Sequence, residues 1–234
     1  MPAAIAVLPQ PPLLVPELIG DAAADTEALR DAVRVVATGL AAAASSWVVV
    51  GADPGGRRTV APGTAGTFAG YGRDVRVRLP GPDDAVDPEL PLPLLVAAWA
   101  AAGTGVTSVR GELVAPDAGA AECLALGDGL ADDATGLLVV GDGAAMHHAK
   151  APGGFDERAE AFDAVVAAAL DAGDPEPLAG MAAEPAASLW AGGRAPWQVL
   201  AGAARAAGVP WKARHRHTSM PYGVAYHVAL WERA

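Results

Sequence analysis

Cysteine is almost absent: Cys123 stands alone among 234 residues, which excludes a disulfide framework and a thiolate-rich metal cluster. Positive charge is also scarce. Lysine and arginine number 16 against 27 aspartates and glutamates, and the net charge of −11 argues against nucleic acid or an anionic membrane as a general partner. No long hydrophobic run occurs. The longest, Leu94 to Ala102, falls far short of the roughly 20 residues a membrane helix needs. The opening Met1-Pro2-Ala3-Ala4-Ile5 has neither a basic leader nor an extended apolar segment, so it does not read as a secretory signal. These absences predict a soluble protein of the reducing cytoplasm.

What is present suits a packed core, since 52% of residues are hydrophobic. Much of that fraction is alanine, which blurs helical periodicity. Strands are expected at Ala4 to Leu8, Trp47 to Val50, Val75 to Leu79, Ser108 to Val114 and Gly136 to Val140. The β-branched runs among them suit a parallel sheet covered on both faces. Leu29, Val33, Val36 and Leu40 fall on one helical face, in a helix opened by Asp25 or Thr26. Further helices are expected at Pro91 to Ala102 and Ala195 to Ala207. Asp156 is expected to N-cap another, whose inner side carries Phe155, Ala159, Phe162, Val165, Val166 and Leu170. Trp47, Trp99 and Trp197 are expected in the core, and Cys123 as a small buried hydrophobe.

A hairpin closes the chain, Pro210 to His217 and Val224 to Trp231, with Lys212, Arg214 and Arg216 on one face and Ala213, His215 and His217 on the other. The alternation of strands and helices predicts a single α/β domain over residues 1–234. Its central sheet is mostly parallel and flanked by helices, with the hairpin at an edge.

In such sheets the ligand crevice lies outside the carboxyl ends of the strands. Three loops sit there, and they carry Gln10, Asp53, Asp142, His147 and His148. His147 and His148 are adjacent in an extended loop and point apart, so they do not readily share one ion. Gly51-Ala52-Asp53-Pro54-Gly55-Gly56 lacks the lysine of a phosphate loop and the spacing of a dinucleotide fingerprint. No G-x-S-x-G nucleophile elbow occurs.

The loop positions together resemble the LigB-type class III extradiol ring-cleavage dioxygenases and their Memo-like relatives. Leu8-Pro9-Gln10-Pro11-Pro12-Leu13-Leu14-Val15-Pro16-Glu17 is similar to their first strand and loop, and Val48-Val49-Val50-Gly51-Ala52-Asp53 to their second. Val139-Val140-Gly141-Asp142, followed by Gly154-Phe155-Asp156-Glu157-Arg158 and Phe162-Asp163, is similar to the third. Gly193-Arg194, Leu200-Ala201-Gly202-Ala203 and Pro221-Tyr222-Gly223-Val224-Ala225-Tyr226 complete the resemblance. It implies ferrous iron held by two histidines and a glutamate, with a further histidine as acid and base.

Carried over, the iron histidines fall on Gln10 and Asp53 and the catalytic histidine on Ala145, with His147 two residues later as a substitute. The glutamate belongs just before Gly193-Arg194, where Glu184 is the nearest acid and sits too early. A positioned base is worth roughly a hundred- to ten-thousandfold. The expectation is therefore a divergent LigB-like protein without ring-cleaving iron chemistry, acting as a binding or subunit-like domain. No cofactor is expected. The pocket is formed by Gln10, Asp53, Asp142 and Ala145, the partner is a small molecule, and family analogy suggests a homodimer. The alternative is an enzyme with a remodelled divalent-metal site using Asp53, Asp142 and His147 or His148.

Overall fold

The computed structural model describes residues 1–130 and 135–234, with side chains given for all of these except 21–23. The chain runs β1 (Ala4–Leu8), α1 (Pro16–Ile19), α2 (Glu27–Ala43), β2 (Ser46–Ala52), β3 (Arg58–Val60), β4 (Ala65–Thr67), β5 (Arg76–Arg78) and α3 (Leu92–Ala101). It continues through β6 (Ser108–Val114), α4 (Ala120–Gly129), β7 (Thr135–Val140), α5 (Arg158–Ala172), α6 (Glu176–Ala179) and α7 (Ala183–Ser188). It ends with α8 (Arg194–Ala206), β8 (Trp211–Ser219) and β9 (Tyr226–Arg233). Among the described residues, no helix is long and apolar enough to cross a membrane.

Seven strands form one sheet in the order β3-β6-β2-β7-β1-β9-β8, while β4 and β5 pair separately. The four central strands β6, β2, β7 and β1 are parallel. β9 runs antiparallel to β1, and β8 antiparallel to β9 at the edge. Because strand side chains alternate, each central strand feeds two cores. Ala6, Leu8, Val49, Leu138 and Val140 pack with Val33, Val36 and Leu40 of α2 and Leu94 and Leu95 of α3. Ile5, Val7, Val48, Val50, Leu137 and Val139 pack on the other face with Cys123 of α4, Val166 and Leu170 of α5 and Trp197 and Leu200 of α8.

Several expectations change in detail. The stretch 54–92 holds β3 and β4 besides the expected strand, and α4, α6 and α7 were not foreseen. Alanine and glycine dominate α4, so no apolar stripe announces it. The helix expected to start at Asp156 begins at Arg158, although the Asp156 carboxylate does accept the Arg158 backbone N–H at 2.9 Å. Its inner face also differs: Phe155 is 67% and Val165 49% exposed, and Asp163 is buried in their stead. Trp47 and Trp197 are fully buried, but Trp99 is only partly so.

The hairpin's face assignment needs correcting too. A β-bulge between Ala213 and His215 sets Ala213 opposite Trp231 but His215 opposite Leu230. A bulge adds one residue to one strand and so reverses the facing of every residue beyond it. Ala213 therefore packs into the core under α5 and α8, whereas His215 and His217 turn to the α2 side.

Helices α4 and α8 approach closely because both present glycine at the crossing. A methyl group on Gly127 would run into the Val199 carbonyl, and one on Gly202 into the Leu124 carbonyl. Both obstacles are backbone and cannot rotate away. We expect Gly202→Ala to destabilise the fold by about 2 kcal/mol or more, as overpacking does, against a negligible loss for Gly129→Ala, whose new methyl meets open space at the end of α4. Urea denaturation of the two variants checks this.

Candidate functional site

The parallel strands bring three loops to one edge. Leu8 of β1 and Gly51 of β2 both pair with Val140 of β7, so the chain leaves all three strands at the same level. Residues 9–12, 52–55 and 141–150 issue side by side there, with the β7 loop in the middle.

The first and third loops are joined directly. The backbone N–H of Gln10 donates to Oδ1 of Asp142 at 2.8 Å, and Gly141 N–H donates to the Leu8 carbonyl at 3.0 Å. The Asp142 carbonyl accepts from Gly193 N–H at 2.8 Å, which seats the start of α8 against this edge. The side chain of Gln10 borders Gly192, and its Oε1 is buried without a hydrogen-bond partner. Ala145 meets the same segment, its N–H donating to the Leu189 carbonyl at 3.0 Å. Gln10 and Ala145 thus both abut residues 189–193.

Asp53 sits on the far side of β7. Its N–H donates to the Val114 carbonyl of β6 at 2.9 Å, its carbonyl accepts from Gly56, and its carboxylate lies over Gly55.

The two histidines after β7 separate. His148 is exposed, and its Nδ1 accepts from Lys150 N–H at 3.1 Å. His147 turns inward, its Nε2 donating to Oδ2 of Asp163 at 2.7 Å. The other oxygen of Asp163 accepts from Nε2 of His227 at 3.0 Å, and Ala144 N–H reaches the carboxylate at 3.1 Å. A carboxylate accepts, so each ring carries its proton on Nε2. Nδ1 of His227 is then free to accept the Thr218 hydroxyl at 3.1 Å, and the Trp197 ring stands edge-on to the imidazole, 5.9 Å between centroids. Asp163 and His227 stand outside the site residues expected from the sequence, where His227 reads as a packed or hydrogen-bonded strand histidine, as it is. Asp163 was legible in principle, because it lies four residues after Ala159 and three before Val166 on the buried stripe of α5.

A hollow of about 430 Å³ opens beside this edge, lined by Pro116, Asp117, Ala183, Glu184, Ala186, Ala187, Trp190, Ala191, Gly192 and Arg194. Arg194 is a wall and not a free cation: its guanidinium donates to the carbonyls of Pro116 and Ala118 and to Oε1 of Gln198. Trp190 is 58% exposed and holds φ at +57°, a region costly for residues with a Cβ. A larger hollow, about 500 Å³, lies along β4 and β5, away from these loops.

Among solved structures, the chain is similar in fold to one described as that of an uncharacterized protein, JW3007, from Escherichia coli K12. The TM-score is 0.50 with 14% identity, covering 97% of this chain and 98% of that one. No family model and no curated protein matches. The likeness therefore speaks to the fold alone.

The donor set does not fit an iron site of the kind the LigB resemblance implies. Gln10 offers an amide oxygen, Asp53 one carboxylate turned to its own loop, and Ala145 nothing. Glu184 lines the hollow from α7, eight residues before Gly192. Among the described residues, no group of three or more histidines, cysteines or acids gathers to hold a metal. The remodelled-site set of Asp53, Asp142 and His147 or His148 is likewise dispersed, with His147 on Asp163 and His148 facing solvent.

Asp142 is chemically distinct. Part of the residue reaches solvent, but its carboxyl group lies deep, and burial lifts it from 3.8 to about 7 against the opposing pull of the Gln10 N–H. Tyr226 is pushed upward as well, by burial first and by Asp142 second. A carboxyl raised on folding binds more protons in the native than in the unfolded chain. Stability therefore falls as pH rises from about 4 to about 7. We expect a loss on the order of 2–4 kcal/mol across that window that Asp142→Asn removes, measured as denaturation midpoints against pH. Asp163→Ala, which strands three buried donors, is expected to cost about 3 kcal/mol or more at neutral pH, read in the same assay.

Proposed function

We propose that this chain is a LigB-like domain that lacks ring-cleaving iron chemistry and acts as a binding or subunit-like protein, taking a small molecule at the carboxyl edge of its sheet. The observation that carries this reading is the chemistry of the strand ends. Amide, carboxylate and methyl groups stand at Gln10, Asp53 and Ala145, while the neighbouring imidazole of His147 is engaged by Asp163 at 2.7 Å. An amide oxygen is a poor ligand for ferrous iron, and alanine neither accepts nor donates a proton.

The hollow of about 430 Å³ beside Gly192 falls within the size range of small-molecule sites. Its alanine, proline and tryptophan walls suit an apolar body, and Asp117, Glu184 and Arg194 supply polar groups along them. The net charge of −11 disfavours nucleic acid and anionic membrane as partners. The single, fully buried Cys123 accords with a reducing cytoplasm, and a homodimer completes the reading by family analogy.

A second reading, a remodelled enzyme, is favoured by Asp142 alone. A carboxyl poised near 7 at a strand end is suited to proton transfer at neutral pH. In that reading Asp142 is the acid or base and Tyr226 its buried neighbour, with no metal step assigned.

The decisive experiment loads the purified protein anaerobically with ferrous iron and adds catechol and air. No oxygen uptake and no ring-fission absorbance above the iron-only background is expected, and turnover would overturn the proposal. The triple variant Gln10→His, Asp53→His, Ala145→His is expected to gain ferrous-iron affinity over the parent by equilibrium dialysis. A folded triple variant with parental affinity would mean that the glutamate ligand is missing or that the LigB correspondence is wrong.

A further inference from the structure

The edge strand β8 carries a row of buried polar atoms without hydrogen-bond partners: Nε2 of His215, Nε2 of His217 and Oγ of Ser219. The bulge creates this row. Beyond it, His215, His217 and Ser219 lie opposite Leu230, Val228 and Tyr226, which belong to the core beneath α2. The residues between them turn to the other face, where Arg216 pairs with Asp171 of α5 at 2.7 Å and Thr218 meets His227. Three alternate residues of one strand therefore present an imidazole nitrogen or a hydroxyl on the same face.

A buried polar atom left unpaired costs about 1–3 kcal/mol, and native structures seldom tolerate several together. Two imidazoles two residues apart on one strand face, each with an unengaged Nε2, make a donor pair of the kind borderline transition metals take.

We propose that His215 and His217 form a two-imidazole site for a divalent transition metal of the zinc or nickel class, with the Ser219 hydroxyl beside it and water completing the shell. With no third imidazole, thiolate or carboxylate joining them among the described residues, the affinity is micromolar and not that of a closed structural site. The site lies on β8, separated from β1 by β9.

The test uses the untagged full chain. Zinc titration by calorimetry is expected to give one micromolar site per chain. Substoichiometric nickel is expected to broaden two of the five imidazole signals in the proton spectrum. His215→Gln and His217→Gln, checked for folding by thermal melting, should each weaken zinc binding more than about tenfold, since losing even an outer-shell partner of a metal ligand costs about that much. His148→Ala, which removes an exposed imidazole elsewhere, should leave it unchanged. A folded parent that binds no zinc overturns the proposal. So does a folded double Gln variant with parental affinity, or broadening confined to the His148 signal.

Discussion

The carboxylate of Asp163 is the point on which the carboxyl edge of this sheet depends. It is fully buried and receives three N–H groups, from His147 and Ala144 in the loop after β7 and from His227 on β9. A buried acid with fewer donors would be a heavy liability, whereas this one joins a loop, a helix and a strand that no local contact would hold together. The geometry leaves no room for variation beside it. A Cβ at position 143 would strike both Asp163 and Ala225, so Gly143 is required by packing. With residues 143–147 fixed this way, Ala145 faces the 189–193 segment and His147 cannot turn toward the strand ends.

Much of the fold could be read in the chain because β1, β2 and β7 are nearly continuous apolar runs bounded by proline, glycine and serine. Trp47 to Val50 and Gly136 to Val140 could hardly be anything else. What the residues concealed has specific causes. Helix α4 is built of alanine, glycine and leucine around Cys123, and it is held by close approach to α8, which leaves no periodic signature. The bulge in β8 has no glycine to mark it, so simple alternation assigned Ala213 to the face of His215. The loops carrying Gln10, Asp142 and Ala145 were legible as strand ends, but the partner of His147 was not. Asp163 and His227 lie 64 residues apart, and only tertiary packing makes them neighbours.

The same strand end produces two acids of opposite character, and the sheet plane explains the difference. Successive residues leaving β7 point to opposite sides. Asp142 goes to the side of Tyr226 and the α2 core, where one backbone N–H is its hydrogen-bond donor and the nearby phenol is itself buried. Gly143 faces the other side, where Asp163 has gathered the histidines. One carboxyl is locked by three donors and serves the architecture. The other is left under-solvated, and its proton is labile near neutrality.

Two strained residues frame that labile group. Trp190 and Tyr222 hold φ at +57° and +58°, where a Cβ costs roughly 1–2 kcal/mol. Trp190 precedes the glycines that border Gln10, and Tyr222 lies four residues before Tyr226, with its hydroxyl donating to Asp25 at 3.2 Å. Both side chains are largely exposed, so core packing does not account for the strain. Backbone held in such conformations persists where the surroundings over-determine it, and it concentrates at binding and catalytic sites. Both residues adjoin backbone that the loop after β7 holds by hydrogen bonds, the Leu189 carbonyl accepting from Ala145 N–H and the Gly223 carbonyl from His147 N–H, so the loop that Asp163 fixes also sustains the strain.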